Sequence, residues 1–307
     1  MISVITSVYN RHLFEQFARN LDETIGMPYE LIGIDNSKGQ MGLCEVYNKA
    51  TQQARYDLLC YAHEDIRFRT LNWGEKIVQR FREAPRLGLL GVVGTLYKTY
   101  APNGWGVSWE YSRANFIQHY KHSSEPVTVR YTNPAQEAVS RVVCVDGMWM
   151  CTPKKLAQTI GFDAANFRGF HCYDLDYSLS IRQQYEVGVT FDVQIEHFSE
   201  GSPDKNWIRE SIKFHRKWKK NLPAAAEPVP LEIQQGFERQ ALDNFIYRMR
   251  AEGFGIFSIL KVVVMNLRNP LIGGYSQALL VRLLKEHLKF NVLGFQWLRK
   301  TAVKPKP

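Results

Sequence analysis

The first hundred positions alternate between two hydrophobic patterns. Continuous apolar runs, "ISVITSV", "ELIGI", "LLCYA" and "LGLLGVVG", are separated by stretches whose apolar residues recur every three or four positions, at 13–25, in "GLCEVYNKATQQA" and in "NWGEKIVQRFREA". Runs of the first kind suit strands covered on both faces, and the second kind suits amphipathic helices. Strands alternating with helices predict βαβ units, and hence a doubly wound, mainly parallel α/β sheet.

The pattern then changes. Residues 100–140 are rich in aromatic and turn residues and read as a long excursion from the sheet. "RVVCVDGMWMCTP" resumes as a strand, "YDLDYSLSIRQQYE" as a helix and "VTFDVQIEHFS" as another strand. A polar, basic helix, "DKNWIRESIKFHRKWKK", closes this part, and "NLPAAAEPVPLE" has the composition of a linker. The expected division is a domain over 1–222 and a basic helical extension over 231–307. Within the extension, "FGIFSILKVVVMN" is about a dozen residues long, short of the ~20 needed to span a bilayer. It reads either as an interfacial helix flanked by Arg248, Arg250, Lys261 and Arg268, or as a helix that caps the core.

Composition adds two constraints. The 307 residues are 45% hydrophobic and 22% charged, as in an ordinary globular protein, and no secretory signal is visible at the N-terminus. Five scattered cysteines, Cys44, Cys60, Cys144, Cys151 and Cys172, form no CxxC pair and point to reduced thiols. The net charge of +9 is unevenly placed. Residues 204–307 hold 19 Lys/Arg against 8 Asp/Glu, whereas residues 1–203 hold 20 against 22. The basic third therefore calls for an anionic neighbour.

The candidate chemistry lies at the ends of the apolar runs. The first three finish in Tyr9-Asn10, Asp35-Asn36 and His63-Glu64-Asp65, and open α/β sheets bind ligands beyond the carboxyl ends of their strands. Alternation puts His63 and Asp65 on one face and Glu64 on the other. Asp65 is an oxygen ligand suited to Mg²⁺ or Mn²⁺, while imidazole suits softer metals. Neither a Walker A sequence nor a GxGxxG follows a strand. A bound nucleotide would need its phosphate charge met otherwise, and a divalent cation at Asp65 does so. Asp146 lies in "VDGMW", and Asp174 and Asp176 open a helix, where the helix dipole alone would also favour them.

In these stretches, taken in order, the chain resembles the inverting glycosyltransferases of family 2, with the GT-A fold, in the branch whose metal motif reads His-x-Asp. "ISVITSVYN", "ELIGIDNS", "GLCEVYNKATQQA", "YAHEDIRF", "VDGMWMCTPKKL", "GFDAANF", "YDLDYSLSIRQQYEVG" and "IEHFSEGS" carry the likeness over about residues 1–205. The resemblance implies that Asp35 contacts the nucleotide base, that Tyr9 and Asn10 line its pocket and that Asn48 lies close by. It implies a Mn²⁺ or Mg²⁺ ion held by Asp65 and His197, with His63 beside it. Asp174 becomes the catalytic base, and Asp146 shapes the donor-sugar pocket. The partners implied are a nucleotide-sugar donor (UDP favoured, GDP or dTDP the alternatives) and a glycan or lipid-linked acceptor, as in bacterial polysaccharide biosynthesis. The implied location is cytoplasmic, with the tail peripheral at the inner membrane face or engaged as an oligomer contact.

Three departures from the family pattern stand out. Tyr173 occupies the place of the usual Glu before the base, with Asp176 two residues later as a competing carboxylate; the first metal-motif residue is His63; and "YEVG" replaces the usual Gly spacing. Two other readings follow from the residues. The missing Glu favours a non-catalytic nucleotide-sugar-binding scaffold. The basic tail favours a nucleic-acid binder, but no nucleic-acid motif accompanies the charge, and no nucleic-acid partner is expected.

Overall fold

The computed structural model describes residues 1–121, 125–201 and 203–301, with side chains described through Leu288. Ser202 of the "EHFSEGS" stretch and residues 302–307 of the tail lie outside them. The chain forms two compact units: Met1–Thr99 with Asn103–Val229, and Tyr100–Pro102 with Pro230–Pro307.

The first unit opens as the alternating pattern predicts: β1 (Ile2–Val8), α1 (Arg11–Thr24), β2 (Tyr29–Asp35), α2 (Leu43–Gln53) and β3 (Leu58–Ala62). The last run is then broken, because β4 (Ile66–Phe68) is a separate strand after His63-Glu64-Asp65. There follow α3 (Trp73–Glu83), β5 (Leu87–Gly91), β6 (Val93–Thr95), β7 (Tyr97–Lys98), β8 (Ser112–Gln118), β9 (Thr128–Thr132), β10 (Val139–Arg141), β11 (Cys144–Val145) and β12 (Trp149–Pro153). The unit closes with α4 (Lys154–Ile160), α5 (Tyr173–Arg182), β13 (Glu186–Thr190), β14 (Ile195–His197), α6 (Lys205–Trp218) and β15 (Ala224–Ala225).

Two sheets result. The larger runs β10-β13-β5-β12-β3-β1-β2, parallel between β1 and both of its neighbours and between β13 and β5. Strand β12 enters antiparallel between β3 and β5. The smaller sheet runs β11-β6-β8-β14-β4, with β9 on β8. Several expectations change: "LGLLGVVG" divides into β5 of the larger sheet and β6 of the smaller, and "RVVCVDGMWMCTP" into β11 of the smaller and β12 of the larger. Part of the 100–140 excursion is sheet, since β8 and β9 pair antiparallel. "VTFDVQIEHFS" is two strands in different sheets, because the chain turns at 191–194, where Asp192 N–H donates to Thr190 Oγ1. Periodicity sees apolar runs but not which sheet each joins.

The cysteine expectation is also corrected. Cys60 and Cys151 face each other in the antiparallel β3/β12 register, with Cα atoms 4.2 Å apart, and their sulfurs are bonded. A separation of 91 residues hid that pairing. Cys44, Cys144 and Cys172 are free and buried.

Packing holds the strand ends in place from both faces. On one face Phe68 stacks on Trp73 at 4.2 Å and Trp149 meets Trp73 edge-on. On the other, Tyr61, Phe162, Tyr177, Tyr47 and Tyr173 form a chain of ring contacts at 4.3–5.7 Å that ties α2 and α5 to β3. Such pairs contribute about 0.5–1.5 kcal/mol each beyond their buried area.

The second unit contains α7 (Leu231–Ala251), α8 (Ile256–Asn266) and α9 (Gly273–Thr301). Its core includes Leu242, Phe245, Ile259, Val263 and Leu283. Glu238, buried in α7, accepts hydrogen bonds at 2.8 Å from the N–H groups of Tyr100 and Ala101 and from Asn269 Nδ2. Those three donors satisfy a carboxylate that would otherwise be costly to bury. Among the described residues, no helix is long and apolar enough to cross a membrane.

Candidate active site

The polar triplet at 63–65 is the bridge between the two sheets. His63 N–H still donates to Met148 O beside β12, whereas Asp65 sits at the start of β4. The antiparallel pairing of β14 with β4 sets His197 opposite Ile66, and Phe198 N–H donates to Asp65 O at 3.0 Å. That register brings together two residues 132 positions apart in the chain. His197 Nε2 lies 3.8 Å from Asp65 Oδ1, and His63 Nδ1 lies 4.0 Å from the same oxygen. One ligand atom from each of the three falls within 4.8 Å of the others. Two ligands of one ion, each bonded at about 2.0–2.2 Å, stand at most about 4.4 Å apart. A small rotamer adjustment would therefore let the trio hold a divalent cation, and two imidazoles with one carboxylate are a fitting donor set.

The neighbours tune this cluster. Burial pushes the Asp65 carboxyl up, but the His63 and His197 rings outweigh it and hold the group below its ordinary value. Burial lowers His63, favouring neutral imidazole, the ligating form. His63 Nε2 is 2.8 Å from the Tyr173 hydroxyl. The phenol fits because residue 147 is glycine: a Cβ there would lie 2.1 Å from Tyr173 Oη. Glu64 does point the other way, and its carboxylate accepts the N–H groups of Tyr9 and Asn10 at 3.0 and 2.7 Å.

The remaining candidates divide into those near the cluster and those acting through the backbone. Parallel register sets Val8 beside Asp35 and Thr6 beside Ala62, so the ends of β1, β2 and β3 share one sheet edge. Asp35 and Tyr9 are exposed there, and Asp35 is held below its ordinary value chiefly by the Ser37 N–H. Asn10 Oδ1 caps α1, accepting from His12 and Leu13 N–H. Both polar atoms of Asn48 are engaged by Phe162, whose N–H donates to Oδ1 and whose carbonyl accepts from Nδ2. Asn48 therefore anchors the segment that follows α4, where Gly161 turns at φ 65°. Further along that segment, exposed Phe170 lies 5.5 Å from the His63 ring.

At the start of α5, Asp174 Oδ2 accepts the Gly147 N–H at 3.0 Å and Oδ1 accepts its neighbour's. Burial, with the adjacent negative charge of Asp146, pushes the Asp174 carboxyl up to about 7. Asp146 itself accepts the Met148 N–H. Asp176 has a different setting: it is buried, 2.7 Å from Trp218 Nε1 and from Lys217 Nζ. It is the carboxylate of a structural pair tying α5 to α6, which separates the two aspartates that looked alike in sequence. The contribution of Tyr173 escaped the sequence reading, although a signal existed. Positions 63 and 173 both depart from the pattern, and the two side chains touch.

The model of a glycosyltransferase-like family matches residues 3–222. Among curated proteins none matches. Crystal structures with similar folds include S. aureus TarS 1–349, at TM-score 0.50 and 10% identity, covering 88% of this chain and 81% of that one. The same protein in complex with UDP-GlcNAc gives TM-score 0.42 and 11% identity, over 94% and 73%. GalNAc-T7 with UDP, GalNAc and Mn²⁺ gives 0.47 and 11%, and the chain covered to 88% spans 58% of it. At such identities the TarS likeness supports the GT-A fold alone.

Proposed function

The chain belongs to the glycosyltransferase-like family, and from that premise we propose a metal-dependent, inverting transfer of a sugar from a nucleoside-diphosphate donor, UDP favoured, to a hydroxyl of a glycan or lipid-linked acceptor. The observation that carries this reading is the pairing of two sites through one hydrogen bond. Three side chains able to ligate a metal converge at the strand ends, and His63 among them is hydrogen-bonded to Tyr173, the residue next to the near-neutral carboxylate of Asp174.

In this reading Asp65 and His197 hold Mn²⁺ or Mg²⁺, and His63, oriented by Tyr173, supplies the third ligand. Were Nδ1, which faces Asp65, to ligate the ion, Nε2 would carry the proton and donate to the Tyr173 oxygen. The two imidazoles favour Mn²⁺ over Mg²⁺. A bound cation offsets the charge developing on the diphosphate leaving group. Asp35 contacts the base, while Tyr9 and Asn10 border it on a loop end fixed by Glu64. Asn48 acts at one remove, through the segment that carries Phe170.

Asp174 takes the proton of the attacking hydroxyl. A carboxyl near 7 suits a base working near neutral pH, and a positioned base contributes about 10²–10⁴-fold. Asp146 keeps Asp174 from ionising too readily and borders the donor sugar. The transition state gains oxocarbenium character, as in glycoside hydrolysis, and a base acting on the acceptor hydroxyl fits a single displacement. Trp105 and Trp109, 5.8 Å apart edge-to-face in the segment before β8, are the acceptor contact in this reading. In this reading the catalytic chemistry belongs to residues 1–222, the span that the family model also reaches.

The test is a thermal-shift titration of UDP, GDP and dTDP with and without Mn²⁺, followed by donor hydrolysis. A ligand at a hundred times its Kd adds about 2.7 kcal/mol of stability. Stabilisation by one nucleotide only when Mn²⁺ is present supports the reading; no metal-dependent shift with any of the three rejects it.

A further inference from the structure

The second unit leaves apolar surface uncovered in a pattern its own core does not explain. Helix α8 buries Ile259, Val262, Val263 and Asn266. On its other face Phe257 is 71% exposed and Val264 50%. Helix α9 buries Leu279 and Leu283, yet Val281, Leu284 and Leu288 are 46%, 41% and 61% exposed. The two faces adjoin, because the Phe257 ring meets His287 edge-on at 5.9 Å. Adjoining large side chains at such exposure mark a surface that something covers.

The charges around this face select the occupant. Lys261, Arg268, Arg282 and Lys285 are exposed among the apolar residues. From Ile256 to the C-terminus there are nine Lys/Arg and one acidic residue, Glu286, which lies 3.9 Å from Arg250. A second copy docked on the same face would set these cations against their own images, which is unfavourable. An anionic bilayer meets both properties at once. Its interface takes up the apolar ridge and its headgroups take up the basic residues. Among the described residues, neither helix is long and apolar enough to span. We propose that the exposed faces of α8 and α9 form a peripheral docking surface for an anionic lipid membrane. This inference is independent of the donor and metal chemistry proposed above.

The experiment is co-sedimentation of the full chain with vesicles of phosphatidylcholine alone and of phosphatidylcholine with phosphatidylglycerol. Binding is expected only to the anionic vesicles, weakening as salt rises. Each neutralised cation should cost about fivefold in partition. The variant K261Q/R268Q/R282Q/K285Q should therefore bind on the order of a hundredfold or more weaker. The variant F257S/L284S/L288S should lose the residual binding that survives high salt. All these positions are exposed, and unchanged thermal melting would show that both variants fold. Failure of the parent chain to bind anionic vesicles, or equal binding by parent and variants, overturns the proposal. So does light scattering that shows a dimer which the apolar variant dissociates, since the face would then belong to a second copy.

Discussion

The strand-end cluster and the helix-end cluster present the same residue type to opposite electrostatics. At the strand ends Asp65 faces two imidazoles, which outweigh its burial and hold it below its ordinary value. At the start of α5, Asp174 is half-buried beside Asp146, and desolvation with that neighbour's charge pushes it up to about 7. One carboxylate stays ionised and suits a cation, while the other is reluctant to ionise and suits a proton. The lesson is that an aspartate's role here is set by its neighbours. Asp176, on the same helix as Asp174 but paired with Lys217 and Trp218, makes a third case.

The largest effect expected is at the metal end. Asp65→Ala should remove metal-dependent nucleotide binding altogether in calorimetric titration; affinity unchanged by both this substitution and EDTA would dissolve the distinction between the clusters. Next is the base. Asp174→Asn should lower kcat by about 10²–10⁴ with donor affinity nearly unchanged. Asp176→Asn is its counterpart: it should spare kcat within a few-fold and instead lower stability to urea by about 1–3 kcal/mol, because a buried partner is weakened. Should Asp176→Asn stop turnover while Asp174→Asn spares it, the roles of the two are reversed.

The bridge between the clusters comes third. Tyr173→Phe should weaken Mn²⁺ binding by about 10–100-fold, as loss of an outer hydrogen bond to a ligating histidine does. Isothermal titration with the metal alone reads this directly, and an unaltered affinity removes Tyr173 from the site. The smallest effect, for a change of one unit, is in pH. If Asp174 must be ionised, turnover should rise about tenfold per unit below 7 and level off above it. The stability sign is opposite: a carboxyl whose folded pKa is raised favours the protonated folded state, so its contribution falls as pH rises from 3.8 towards 7. A turnover profile flat from pH 5 to 8 would count against Asp174 as the base.

How far all this could be read in advance depended on range. The ends of β1, β2 and β3 were legible because each apolar run stops in polar residues, which is local information. The meeting of His197 with Asp65 depends on β14 joining the second sheet antiparallel to β4, and no periodicity encodes that. The Cys60–Cys151 bond and the Asn48 clamp on Phe162 were hidden for the same reason. The family resemblance supplied His197 without its geometry. Asp174 and Asp176 were indistinguishable in sequence because only the arrival of α6 gives Asp176 its lysine and tryptophan.

The contact of Tyr173 with His63 over Gly147 has a consequence for ancestry. A Cβ at 147 would collide with the phenol, and without the phenol hydroxyl the His63 imidazole would lose this hydrogen-bond partner. The three positions are thus interdependent, each setting what the next can accommodate. Lineages with tyrosine at 173 should carry glycine and histidine at the other two positions, whatever sugar they transfer.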